Sequence, residues 1–195
     1  MSSILDVPSI RARLSRTSVE EYHLQPEYNG QGRRTELIRG LVIEKMSKSP
    51  LHGTIASLLQ DTLAPQLPPG WILRREEPLT LRDSEPEPDL TIVRGTRREY
   101  LRAHPSSAAL VVEVAVSSIA EDREIAALYA EAEVGEYWIV LPAEQGIEVY
   151  RQPENGRYRE MRLYTGSDTI ECASVPGVRV ALGELFAGLS PQIPR

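Results

Sequence analysis

The stretch LVVEVAV, Leu110 to Val116, decides how this chain folds. It is β-branched and unbroken. Turn residues bound it, with Pro105, Ser106 and Ser107 before it and Ser117 and Ser118 after it. That pattern predicts a buried strand. Glu113 stands at its centre. Side chains alternate along a strand, so Glu113 shares a face with Val111 and Ala115. A carboxylate in such a place is costly unless something pairs with it. Two partners are open at this point: a metal ion, or an arginine in a buried ion pair.

The next informative stretch lies upstream, in EPEPDLTIV, where Asp89 opens a second short strand directly after Pro88. Asp89 shares a face with Thr91 and Val93. If the two strands pair, both carboxylates converge at one end of the sheet. There they suit a hard divalent cation, Mg²⁺ or Mn²⁺, with water completing the shell. A cation so held activates water and stabilises the charge of a phosphodiester under in-line attack. Asp89 also reads, more simply, as a turn residue following proline.

The remaining elements spread outward from these two strands. Residues 1–17 read as a flexible arm, residues 18–190 as one domain, and residues 191–195 as a tail. Ser18 is placed to cap a short helix through Tyr22 and Leu24. TELIRGLVIEKM predicts a hairpin running to Met46 with its turn at Arg39-Gly40. Ser49-Pro50 starts a helix whose apolar stripe is Leu51, Ile55, Leu58, Leu59 and Leu63. Strand signal follows in WILRREEPLTL, broken at Pro78, and a short helix is expected over 96–103. Ser118 and Glu121 form a capping-box pattern, so a helix is expected from Ile119 to about Glu133, with Ile125, Leu128, Tyr129 and Ala132 inward. Tyr137 to Leu141, Ile147 to Arg151, Tyr158 to Tyr164 and Val178 to Ala181 complete the strands, and a short helix spans 182–187. Hairpins and helical crossovers together imply an α/β or α+β layer.

Composition narrows the function classes. The chain has 195 residues, one cysteine and a net charge of −6. A single cysteine, Cys172, excludes a disulfide framework and a cysteine zinc site. No run of about 20 apolar residues exists to span a membrane, and the N-terminus MSSILDVPSIRARLSR lacks a signal-peptide core. The cytoplasm is the expected compartment. The net charge argues against a general nucleic-acid coat protein. The acidity is uneven, however. Residues 1–104 carry 15 Lys/Arg against 14 Asp/Glu, whereas residues 105–195 carry 7 against 14. The arginines of the first half read equally as a solvated surface or as a phosphate-tracking patch.

The ordered set TELIRGLVIEKMS, SPLH, SEPEPDLTIVRG, LVVEVAVSS, DRE, ALYAEA and EYWIV resembles the PD-(D/E)XK nuclease superfamily. More narrowly, it resembles the bacterial branch of restriction-endonuclease-like proteins once catalogued as a domain of unknown function. The likeness covers roughly residues 18–190. It implies a restriction-endonuclease-like mixed β-sheet flanked by helices, with an N-terminal hairpin. It implies hydrolysis of DNA phosphodiester bonds with Mg²⁺ or Mn²⁺, Asp89 and Glu113 being the metal ligands and the Val114 carbonyl a third. By the same likeness Glu36, on the first hairpin, joins the catalytic set, although it also reads as an exposed hairpin residue beside Arg34. His52, in the first turn of its helix, reads as a solvated residue or as one supporting the ligands, and Arg123 reads as a candidate supporting cation. A homodimer suits an enzyme that cuts both strands.

One departure from that pattern bears on activity. The superfamily places a lysine two residues after the glutamate, where this chain has Ala115. In the narrower branch the lysine sits on the following helix, where this chain has Ile125. Only two lysines exist, Lys45 and Lys48, both far away in sequence. Arg123 is the nearest cation in the chain, but a guanidinium stays protonated and cannot act as a base. Three functions are therefore carried forward. The first is a metal-dependent endonuclease. The second is a catalytically silent nuclease fold that binds nucleic acid or protein. The third is a phosphoesterase acting on a small substrate.

Overall fold

The structure, a computed structural model, describes residues 7–11, 13–25, 28 and 34–189. The chain separates into two compact units. The smaller comprises residues up to Lys45 together with Arg82–Pro86, and the larger comprises Met46–Leu81 and Glu87 onward.

The smaller unit carries two short helices, α1 (Pro8–Arg11) and α2 (Val19–His23), and a hairpin of β1 (Thr35–Ile38) and β2 (Leu41–Glu44). Ser18 begins α2 as the sequence predicts. Its hydroxyl accepts from the Glu21 amide, and the Glu21 carboxylate accepts from the Ser18 amide. This reciprocal cap satisfies two amides that the helix start would otherwise leave free. The hairpin turns at Arg39-Gly40, both with positive φ (53° and 74°). That two-residue geometry matches the natural strand twist. A side chain at position 40 would also collide with Arg16, whose Cβ lies 2.7 Å from where a Cβ would sit. Val19, Tyr22 and Leu37 form the small apolar centre. The second strand ends at Glu44, not at Met46, which is 84% exposed.

The larger unit is built on a six-stranded mixed sheet, β3-β4-β5-β6-β7-β8 in order. The strands are β3 (Trp71–Arg75), β4 (Leu90–Arg94), β5 (Leu110–Val114), β6 (Glu136–Leu141), β7 (Gly146–Glu154) and β8 (Arg157–Thr165). Only β5 and β6 run parallel; every other neighbouring pair is antiparallel. That one parallel pair needs a crossover, and helix α4 (Ile119–Glu131) provides it. Strand β6, EYWIVL, is buried at every position, and after Glu136 it reads without polar alternation.

Alternation along the strands sorts their residues onto two faces. Leu90, Ile92, Leu110, Val112, Val114, Trp138, Val140, Ile147 and Val149 join one core with Ile55, Ala56, Leu59 and Leu63 of helix α3 (Pro50–Leu63). The hairpin of β9 (Thr169–Glu171) and β10 (Arg179–Ala181), with helix α5 (Leu182–Leu185), closes the same core. On the opposite face α4 packs against the sheet, with Tyr129 and Tyr137 ring centres 4.9 Å apart. The architecture is thus a mixed sheet flanked by helices.

Three local expectations are corrected. Leu58 is 42% exposed and Ala56 takes the inward place, because the buried stripe of α3 runs through 55, 56, 59 and 63. Ser118 makes no side-chain cap. Its backbone is at φ −108°, ψ 9°, and its hydroxyl bonds the Asp122 carboxylate at 2.6 Å instead. The helix expected over 96–103 is a single 3₁₀ turn, Arg97–Tyr100. Among the described residues no helix is long and apolar enough to cross a membrane.

Candidate active site

Strands β4 and β5 pair in register Leu90 with Val112. One step beyond that pair, Asp89 lies opposite Glu113. Asp89 is in the bend just before β4, and Glu113 is the fourth residue of β5. Their backbones and side chains are interlocked. The Asp89 amide donates to Glu113 Oε2 at 3.1 Å, and the Val114 amide donates to Asp89 Oδ2 at 2.8 Å. The convergence expected from the sequence is therefore present, and backbone amides orient both carboxylates. Tyr129, on α4, donates its hydroxyl to Glu113 Oε1 at 3.1 Å. Core packing alone does not account for this tyrosine, since its ring is buried while its hydroxyl holds the glutamate.

The stretch before α3 and its first turn supply the other half of the site. Ser49 accepts from the His52 amide, and Pro50 occupies the first helical position. This cap fixes where the chain turns into the helix. It presents Lys48 and His52 to the same carboxylate. Lys48 Nζ donates to Asp89 Oδ1 at 2.6 Å and lies 3.1 Å from Glu76 Oε1. His52 Nε2 lies 2.8 Å from Asp89 Oδ2. The other ring nitrogen of His52 is buried and meets no hydrogen-bond partner among the described residues. Contact with Asp89 is thus what orients this imidazole. Glu76 follows β3 with φ +51°, an uncommon conformation for a non-glycine residue. Its amide donates to the Asp89 carbonyl at 3.2 Å.

The electrostatics follow from these contacts. Asp89 is 4% exposed. Burial alone would raise its carboxyl, but His52 and Lys48 outweigh burial and hold it at about 2. Asp89 is therefore ionised at any physiological pH. Lys48 shows the converse. Burial opposes its charge, yet Asp89 and Glu76 raise its ammonium above the ordinary value.

Asp89 and Glu113 offer hard carboxylate oxygens side by side, the donor type that Mg²⁺ and Mn²⁺ take. No group of three His, Cys, Asp or Glu side chains converges on one point among the described residues. A cation here would rest on two carboxylates, the Val114 carbonyl and water. Such water-rich coordination is common for Mg²⁺.

Two other expected residues make ion pairs of their own. Glu36 lies on β1 of the smaller unit, with Lys45 Nζ at 3.7 Å. Arg123 does not turn toward Glu113. It forms a two-pronged ion pair with Glu148 on β7, which also accepts from the Tyr150 hydroxyl at 2.8 Å. Glu148 pairs with Ile139, and Ile139 with Glu113, so that ion pair is two strands away. This separation is roughly 10 Å. Sequence reading does not point to Glu76, and it leaves open whether folding brings Lys48 to the site. Lys48 is 41 positions from Asp89, so spacing carries no signal of the contact. The only hint is that the chain has just two lysines.

Comparison with known proteins bears on the family and on the fold. A family model described as "Uma2: Putative restriction endonuclease" matches residues 19–183. No curated protein matches the chain. A solved structure described as a putative nuclease belonging to DUF820, from Anabaena variabilis ATCC 29413, is similar at 17% identity and a TM-score of 0.69. The alignment covers 87% of this chain and 97% of that one. At that identity the likeness speaks for the fold.

Proposed function

The chain belongs to the Uma2 family of restriction-endonuclease-like proteins, and on that premise we propose that it hydrolyses phosphodiester bonds in DNA with a divalent metal ion. The observation that carries this reading is the pair Asp89 and Glu113, adjacent across β4 and β5 and joined by the Asp89 amide. In this reading the two carboxylates and the Val114 carbonyl hold Mg²⁺ or Mn²⁺. Bound there, such an ion lowers the pKa of water and neutralises charge on the phosphate.

The chain's own residues hold the site ready. Asp89 remains ionised because Lys48 and His52 outweigh its burial. The Val114 amide orients one Asp89 oxygen, and the Tyr129 hydroxyl orients one Glu113 oxygen. These contacts are made within the protein itself, so little reorganisation is needed when charge develops. Glu36 is placed in the catalytic set by family likeness alone.

The test is titration of Mn²⁺ by calorimetry together with a plasmid-nicking assay on the same samples, using wild type, Asp89→Asn and Glu113→Gln. Binding and nicking in wild type, both lost in the variants, are expected. Binding without nicking in wild type would identify a silent nuclease fold that serves as a binding module. Activity on small phosphodiesters but not on DNA would move the substrate class instead.

A further inference from the structure

We propose that Lys48 does the work of the lysine absent at positions 115 and 125, and that a divalent cation releases it to do so by displacing it from Asp89. This inference rests on the hydrolase reading above and deepens it.

The argument begins with the capacity of Asp89. Its Oδ2 already faces His52 Nε2 and the Val114 amide. Oδ1 is the oxygen left for a cation, and the Lys48 ammonium is on it at 2.6 Å. An ammonium and a divalent ion thus compete for one oxygen. The Lys48 side chain is only 22% exposed, so this contact is not a loose surface pair. Nor does the displaced ammonium leave the neighbourhood. Lys48 directly precedes the Ser49-Pro50 cap, which fixes the backbone, and only its four-carbon stem needs to swing. Glu76 does not become an unbalanced charge in the process, because Arg75 Nε lies 3.7 Å from the same carboxylate oxygen.

The chemistry suits the position. In hydrolysis the water oxygen bonds to phosphorus and gives its proton to solvent, while the bond to the leaving sugar oxygen breaks and that oxygen takes a proton from solvent. Lys48 keeps its own protons throughout. Its part is to face the phosphate oxygens as negative charge builds on them, which is where a preorganised cation contributes most. The remaining lysine, Lys45, pairs with Glu36. Arg123 is engaged by Glu148.

Calorimetric titration of Mn²⁺ into wild type, Lys48→Met and Lys48→Arg, with plasmid nicking on the same samples, tests the proposal. Lys48→Met keeps the apolar stem and removes the competitor. It is expected to bind Mn²⁺ roughly tenfold more tightly while nicking falls by about 100-fold or more. Lys48→Arg, which keeps the charge, is expected to recover part of the nicking and to bind Mn²⁺ more nearly as wild type does. Unchanged or weaker Mn²⁺ binding in a folded Lys48→Met would overturn the competition. Tighter binding with full nicking would make Lys48 a mere counter-ion and also overturn the proposal. If wild type binds Mn²⁺ yet never nicks, the hydrolase reading fails separately. The titration of Lys48→Met then decides by itself whether lysine and metal compete.

Discussion

Asp89 is a buried carboxylate kept ionised by two cationic or hydrogen-bonding neighbours, and this has a consequence for stability. Its folded-state pKa, about 2, lies below the ordinary value of 3.8. A depressed carboxyl contributes stability above its unfolded pKa and loses it as pH falls through the folded one. The window for Asp89 is therefore between about pH 4 and pH 2, and the contribution is on the order of 2 kcal/mol. Chemical denaturation from pH 7 to pH 2 should show a steeper acid loss for wild type than for Asp89→Asn. Equal slopes would mean that Lys48 and His52 do not hold this carboxylate. The residue scale is also where sequence reading was strongest and weakest. A glutamate inside LVVEVAV advertises itself, because a charge in a buried strand requires a partner. Lys48, in the polar segment KMSKSP, does not, because a lysine before a helix is ordinarily solvated.

At the level of elements, the start of α3 links stability to the site. Ser49 accepts from the His52 amide and thereby sets the angle at which Lys48 and His52 meet Asp89. Replacing a cap of this kind with alanine costs about 1 kcal/mol. Ser49→Ala should lose about that amount in urea denaturation and also bind Mn²⁺ more tightly, because the frayed turn no longer holds the competing Lys48 against Asp89. A loss of stability with no change in metal affinity would show that the cap serves the helix alone. Ser49-Pro50 is legible from local rules, as is the Arg39-Gly40 turn. Ser118 shows where such rules stop. The capping-box pattern is present in the sequence, but the backbone at Ser118 departs from the extended cap geometry, and the hydroxyl goes to Asp122 instead.

At the level of the whole molecule, the larger unit is a sheet covered on both faces, and its protection from solvent should be graded. β6 is fully buried, whereas β8 is an edge strand with Met161 and Leu163 about half exposed. Amide hydrogen exchange should be slowest at Val111–Val114 and Tyr137–Val140 and far faster along the unpaired edge of β8. Uniform exchange would mean that the sheet opens as one cooperative body. The local sequence by itself determined the buried strands, the two capped helices, the tight turns and the identity of two acidic residues worth attention. Those are properties of periodicity, backbone preference and burial cost, all of which act within a few residues. Only the tertiary structure decided that Asp89 and Glu113 face each other, that Arg123 is taken by Glu148, and that Lys48 and Glu76 complete the site. These pairings depend on strand register and on how α3 packs against the sheet. They bring together side chains dozens of positions apart, and no local preference encodes such a contact.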